Sequence, residues 1–256
     1  MKKKNSVILV LLVIMLVVFL WGREQYAVPI IMYHNIDQNS ASSRLSVSPE
    51  NFERQMSFLK RNDYNVVELS KISDLIRNNE VPYKTIAITF DDGYENNYKY
   101  AFPILKKYGL PATIFIAPGV IGKEGYMTWE QVIEMSDSDV VSIGSHSMNH
   151  AYLPHIQKYY LDLEIKGSKD LIERYIKKKV YSFSYPVGGF NDYVRNLVVR
   201  AGYKIAVATN PGKKYPKHDI FAMKRLRISN TSDNLFVFWI ETSGFYTWIK
   251  EHRDDD

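Results

Sequence analysis

Apolar residues fall into two patterns along this chain. The first is one uninterrupted apolar run, Val7 to Trp21, preceded by Met1-Lys2-Lys3-Lys4 and closed by Gly22-Arg23-Glu24. The second begins at Pro29, where short apolar runs of strand length alternate with segments of helical spacing. The short runs predict strands at Ile30–Tyr33, Thr85–Phe90, Thr113–Ile116, Val140–Ser145, Val180–Tyr185, Ile205–Thr209 and Leu226–Ser229. Between them, Ser48-Pro49-Glu50 starts a helix, with Ser as its cap, Pro in its first turn, and Phe52, Met56 and Leu59 on one face. Further helices are expected from about Asn96 to Tyr108 (stopped by Gly109), after Thr128-Trp129-Glu130-Gln131, which has the form of a capping box, from about Ile156 to Ile176, and from Asp192 to Arg200 ahead of Gly202. Strands that alternate with helices imply parallel pairing, in a barrel or an open α/β sheet. No internal repeat or low-complexity linker interrupts the pattern.

The polar residues that break the strand runs sit in one kind of place. Tyr33-His34, Asp91-Asp92, His146, Tyr185-Pro186 and Thr209-Asn210 all fall at the carboxyl ends of predicted strands. In parallel α/β architectures that edge carries the active site, and several such residues from different strands point to a shared one.

The Lys-led apolar run reads as a secretory signal or a signal anchor. It is somewhat short for a spanning helix. Arg23-Glu24-Gln25-Tyr26-Ala27 offers no small-x-small cleavage site and there is no cysteine to lipidate, so an uncleaved anchor over residues 1–25 is favoured over a cleaved signal peptide. On either reading the domain, residues 26–256, works outside the membrane. Composition alters this picture little. The net charge of +5 falls to +2 without Lys2, Lys3 and Lys4, so nothing points to nucleic acid. The run Lys213-Lys214-Tyr215-Pro216-Lys217 reads as a solvated loop. The absence of cysteine excludes disulfides, thiol catalysis and cysteine-type zinc sites. The 19 tyrosines suit a carbohydrate ligand, though most are explained as strand residues. A monomer is the expected state.

The chemistry concentrates in two stretches. Thr89-Phe90-Asp91-Asp92-Gly93 places two adjacent carboxylates at a strand end, where their side chains point in different directions, one free to bind a metal and the other to face substrate. His146-Ser147-Met148-Asn149-His150 places two imidazoles four apart, which on a helix share a face. With Asp92 they form a two-His, one-carboxylate set that leaves positions open for water and substrate, and neutral imidazole suits zinc and other borderline metals. His155 and His218 read as surface residues.

Thr89–Gly93, Gly144–His150 and Ser184-Tyr185-Pro186-Val187-Gly188 resemble, in order, the first three motifs of the polysaccharide deacetylase family, the NodB-homology domain of carbohydrate esterase family 4. Pro29-Ile30-Ile31-Met32-Tyr33-His34 is similar to the opening strand of the poly-N-acetylglucosamine deacetylase subgroup. The resemblance implies a distorted (β/α) barrel, here preceded by one N-terminal hydrophobic helix, and removal of N-acetyl groups from amino sugars. It implies that Asp92, His146 and His150 bind a divalent metal, zinc by default with Co²⁺ or Ni²⁺ as alternatives. Asp91 would then be the base that activates a metal-held water, and a backbone N–H near Tyr185 a second oxyanion donor. Gly188 and Gly189 would let that loop approach substrate closely.

Two departures stand out. Many members carry an Arg in the third motif to orient the base, where this chain has Ser184 or its neighbour, which leaves the orienter of Asp91 open. Many carry a late Leu-x-His whose histidine protonates the leaving amine, where this chain has Arg225-Leu226-Arg227-Ile228. His34 is a candidate for that proton, or else a structural histidine in a loop; protonated Asp91 or metal-held water is the alternative donor. Trp129 either lines the cleft or packs beneath its loop, and one of Tyr94, Tyr98 and Tyr126 is a candidate for stacking on sugar.

The expected function is therefore metal-dependent deacetylation of an N-acetylated envelope or extracellular polysaccharide, either poly-N-acetylglucosamine-like or peptidoglycan or chitooligosaccharide. Two rivals remain. A glycan-binding protein that keeps the fold is suggested by the missing Arg and His and opposed by the intact acidic and histidine motifs. A glycosidase is opposed by the adjacency of its only obvious paired acids, since those must flank a scissile bond about 5 Å or more apart.

Overall fold

In the computed structural model, the structure describes residues 13–15, 17, 26–38, 45–212, 214–216, 218–229 and 232–246. All but four residues of the predicted N-terminal anchor lie outside that set. Among the described residues no helix is long and apolar enough to cross a membrane.

The strands are β1 (Ile30–Tyr33), β2 (Asn35–Ile36), β3 (Ser46–Val47), β4 (Asn65–Val66), β5 (Thr85–Phe90), β6 (Ala112–Ile116), β7 (Val141–Ser145), β8 (Ser182–Ser184), β9 (Ile205–Ala208), β10 (Met223–Lys224) and β11 (Leu226–Arg227). The main sheet runs β10-β9-β8-β7-β6-β5-β1-β11, and every pair in it is parallel. Its two end strands are consecutive in the chain, separated only by Arg225. One extended segment therefore pairs with β9 through Met223 and with β1 through Leu226, which bends the sheet into a nearly closed barrel. The predicted last strand begins earlier than Leu226 for this reason. β4 pairs with the first two residues of β5, where β1 has not yet begun, and β2 and β3 form a separate pair.

The helices are α1 (Pro49–Arg61), α2 (Leu69–Arg77), α3 (Phe102–Tyr108), α4 (Trp129–Asp137), α5 (Lys158–Asp162), α6 (Ser168–Ile176), α7 (Asp192–Arg200) and α8 (Leu235–Glu241). The local signals act as their chemistry requires. Ser48 Oγ accepts the Asn51 N–H at 3.2 Å, the Thr128–Gln131 capping box closes at both hydrogen bonds, and Gly109 ends α3 at φ 62°. The two long predicted helices are interrupted: π-turns at Asn97–Ala101 and Leu163–Gly167 precede α3 and α6. Helix α2 has no counterpart among the predicted elements.

Two apolar layers follow from the period-two alternation of strand side chains. Ile30, Ala87, Phe115, Ile205, Val207 and Met223 pack inside the barrel with Leu69 and Ile72 of α2, which plugs its amino-terminal mouth. Ile31, Ile88, Phe90, Ile114, Phe183 and Ala206 face outward against the helices. The same inward parity selects His34, Asp91 and His146 one step past their strands, Ser184 at the end of β8, and Arg225 between β10 and β11.

Candidate active site

These inward residues meet. The side chains of Asp91 and Arg225 are 4% and 1% exposed, and the guanidinium grips the carboxylate with two bonds of 2.6 Å, Nη1 to Oδ1 and Nη2 to Oδ2. Arg225 also donates to Ser184 Oγ at 2.8 Å and to Thr89 Oγ1 at 3.3 Å, and Ser184 Oγ donates to Asp91 Oδ2 at 3.5 Å. The orienter of Asp91, left open by the third motif, is thus Arg225, supplied from the closing segment of the barrel. Sequence reasoning passed over it as part of a motif lacking its histidine. Its shared parity with buried Met223 was the available signal. Burial alone would raise the Asp91 pKa, but the charge of Arg225, then His146, and the Arg225 hydrogen bonds outweigh burial and hold the carboxyl well below the usual range.

Asp92 leaves the strand at φ 73°, a left-handed conformation uncommon outside glycine, and so turns its carboxylate away from Asp91 toward the histidines. Its Oδ1 lies 3.5 Å from His146 Nε2 and 3.3 Å from His150 Nε2. The two histidines do not share a helix face as their spacing suggested. Residues 146–150 form a turn, with Ser147 at φ 60° and His150 at φ 55°, and the turn brings the rings to 4.8 Å between centroids. That turn is pinned from several sides. Asn149 donates its N–H and its amide to the two oxygens of buried Glu164, Ala151 N–H donates to Ser147 Oγ, and Gly119 N–H donates to the Met148 carbonyl. Four of the eight non-glycine residues with positive φ among the described residues, Asp92, Ser147, His150 and Val187, lie at this edge, as expected where strain is held by a functional site.

The cluster passes a simple test for a metal. Asp92, His146 and His150 each offer one ligand atom within 4.8 Å of the others. A tetrahedral ion with bonds of about 2.0–2.1 Å separates its ligands by roughly 3.3 Å, close to the two Asp92–His distances. Asp92 Oδ1 is buried without a hydrogen-bond donor, an arrangement that is costly unless a cation completes it. His146 Nδ1 lies 2.8 Å from the Ser184 carbonyl, which fixes the ring and directs Nε2 at the cluster. Burial lowers the His146 pKa, so it is available as the neutral ligand, while the Asp92 carboxylate beside it raises that of His150 in the metal-free protein.

His34 follows β1 on the same edge. Its Nδ1 is buried and unpaired, and burial lowers its pKa, although both Asp91 and Asp92 are near enough to oppose that. Tyr185 is placed differently from expectation. Its N–H donates to the Val207 carbonyl in the sheet and its hydroxyl to the Phe221 carbonyl, so neither is free to meet a reacting group. In the turn that follows, Pro186 has no N–H, and Gly188 and Gly189 donate to Tyr185 and Pro186. Val187, 73% exposed and held at φ 57°, keeps its N–H without a partner among the described residues. At Gly189 a Cβ would lie 2.1 Å from the Tyr152 ring, so packing against that ring requires glycine there.

The remaining predicted residues are settled by their contacts. Trp129 stacks on Tyr175 at 3.9 Å, Tyr94 stacks on Tyr126 at 5.3 Å, and Tyr98 packs on Phe102 and donates to Glu134. His155 and His218 are exposed and outside the cluster. Phe115 forms the floor of the site, its ring 5.6 Å from the Arg225 guanidinium and 6.4 Å from the His146 ring.

Comparison with known proteins gives consistent findings. The model of the family described as polysaccharide deacetylase matches residues 78–206. The Bacillus subtilis (strain 168) protein YxkH, a polysaccharide deacetylase by name, is 35% identical over 216 residues, which cover 84% of this chain and 76% of the relative. The poly-beta-1,6-N-acetyl-D-glucosamine N-deacetylase of Staphylococcus aureus (strain MRSA252) is 28% identical over 208 residues, 76% of this chain and 72% of the relative. Among solved structures, the Streptococcus pyogenes deacetylase PplD in complex with acetate superposes with a TM-score of 0.74 at 31% identity, covering 81% of this chain and 95% of that one. A matched Bacillus anthracis chain is longer, and this chain spans 66% of it.

Proposed function

This chain belongs to the polysaccharide deacetylase family, and from that premise we propose that it removes N-acetyl groups from the amino sugars of a poly-β-1,6-N-acetylglucosamine-like envelope or extracellular polymer. The observation that carries the reading is the pairing of two environments at one sheet edge. Asp91 is locked as a carboxylate by Arg225, and Asp92 is left with an orphaned oxygen between two imidazoles.

Asp92, His146 and His150 would hold a divalent metal, zinc by default. When bound, such a cation polarises an amide carbonyl and acidifies water. The chain's own residues supply the rest. Asp91, deprotonated and oriented by Arg225, takes the proton of the attacking water. The Val187 N–H, fixed outward by the turn after β8, donates to the developing oxyanion. His34, neutral in the resting protein and set beside both carboxylates, relays the proton to the departing amine. The floor residue Phe115 keeps the Asp91–Arg225 pair dry, which strengthens it. We place this domain outside the membrane, tethered through Val7–Trp21.

The test is acetate release by the full chain, with Zn²⁺ supplied, from poly-β-1,6-N-acetylglucosamine, chitooligosaccharides and peptidoglycan. Asp91→Asn and a chelator should each abolish it, and His34→Gln should lower kcat by about 10²–10⁴-fold. Absence of acetate from all three with metal demonstrably bound would refute the reading.

A further inference from the structure

The amino-terminal mouth of the barrel, opposite the candidate active site, carries an aromatic surface at the point where the chain enters the domain. Tyr26 lies there. Its hydroxyl donates to the carbonyl of Thr85, the first residue of β5, at 3.4 Å, and its ring meets Phe245 edge-on at 5.8 Å and lies against Gly244. The Ala27 N–H donates to the Gly244 carbonyl at 2.9 Å, so the entry of the chain and the segment after α8 form one unit. The end of α8 is tied to the same edge by the hydrogen bond between Thr242 Oγ1 and Tyr64, just ahead of β4. Beside this unit Tyr83, 78% exposed, and Phe245, 40% exposed, face outward, while Trp239 at 49% and Phe236 at 63% lie further back along α8. Phe236 and Trp239 are neighbours, with centroids 5.7 Å apart, and Lys84 lies over both Tyr64 and Tyr83.

We propose that this face is seated in the lipid interface of the membrane, so that the barrel stands on its amino-terminal mouth with the catalytic edge directed away from the bilayer. The proposal rests on reading Val7–Trp21 as a membrane anchor. Only Gly22-Arg23-Glu24-Gln25 separates Trp21 from Tyr26, and four extended residues reach at most about 14 Å. Such a tether holds Tyr26 within the headgroup region, and the rings that surround Tyr26 come with it. The described anchor residues Val13, Ile14, Met15 and Val17 are helical and each more than half exposed, so the domain does not cover them. Exposed Tyr and Phe beside a lysine whose ammonium lies over aromatic rings are side chains that favour a membrane–water interface. The catalytic Asp91 lies six strand residues beyond Thr85, which puts the site roughly 20 Å further from the bilayer than the aromatic face. A polymer bound there is approached from the wall side, not from the lipid.

The chain contains no cysteine, so single-cysteine labelling is unambiguous. The chain is reconstituted in vesicles containing anionic lipid, with an environment-sensitive dye at Tyr83→Cys or Phe245→Cys, and at Tyr193→Cys near the start of α7 on the catalytic edge as reference. Quenching by brominated lipid is expected to be about threefold or more stronger at 83 and 245 than at 193, with a blue-shifted emission. Flotation of the same samples separates the two ideas. A chain that fails to float with vesicles overturns the anchor reading and the proposal together. A chain that floats while 83 and 245 quench no more than 193 overturns the proposal alone. Equal blue shifts with and without vesicles would show that the chain's own residues cover the patch, and would overturn it as well.

Discussion

Replacing Arg225 by Met tests the assignment of the base most directly. Met keeps an unbranched apolar stem and deletes the guanidinium, leaving Asp91 buried without its two 2.6 Å bonds. Both side chains are almost fully buried, so removing one partner should cost about 3–5 kcal/mol of stability. The effect on catalysis has a sign. Burial raises the Asp91 pKa, and Arg225 is first among the groups that oppose it. Without Arg225 the carboxyl rises, and each unit by which it exceeds the assay pH lowers the deprotonated fraction about tenfold. On the proposed role of Asp91 as a carboxylate base, the acid limb of the kcat/KM profile should move to higher pH, and activity lost at neutral pH should partly return in alkaline buffer. Arg225→Lys, which keeps the charge and loses the fork, should fall between the two. The assay is acetate release across pH at saturating Zn²⁺, beside urea denaturation of each variant. An acid limb unmoved in Arg225→Met, with stability within about 1 kcal/mol of the parent, would refute this account of the pair.

Four further outcomes are expected. Asp92→Asn and His150→Ala should each reduce bound metal per chain, read by elemental analysis after dialysis, because each removes one of three converging ligands. Val187→Gly should raise stability by about 0.5–1 kcal/mol, since a β-branched residue at φ 57° is strained and glycine is not, while activity persists because the N–H remains; a lower melting temperature would contradict the strain. Gly144→Ala should lower stability in urea denaturation by about 1–3 kcal/mol and reduce activity, because its Cβ would lie 2.4 Å from Phe115, the floor of the site. In metal-free protein, burial lowers the pKa of His34 and of His146, so the stability that depends on their neutral forms is present above pH 6.5 and is lost as pH falls below it; His150, raised by Asp92, acts in the opposite sense, so the test uses His150→Ala, where a melting temperature flat from pH 7 to 5 would count against this.

Much of the molecule was determined by sequence alone, where the governing physics is local. Six strand runs, the Ser48 and Thr128 caps, the Gly109 stop and the Asp192–Arg200 helix needed only periodicity and capping chemistry, and the structure forms them where those signals lie. The candidate metal cluster was legible too, because the three residues that could hold an ion come from two short motifs at strand ends. The tertiary structure decided what depends on residues distant in the chain. The 146–150 segment looked helical by spacing, but the carboxylate of Glu164 and the packing of Gly119 hold it as a turn. The Tyr185 N–H looked available until β9 arrived beside β8 and took it. Arg225 stands 134 positions from Asp91 and carries no motif of its own; only closure of the barrel, with β10 on one side and β11 on the other, brings it over the base. Sequence determines elements because hydrogen bonds and apolar periodicity act over a few residues. It leaves partners open because a buried charge takes whichever counter-charge the sheet order delivers.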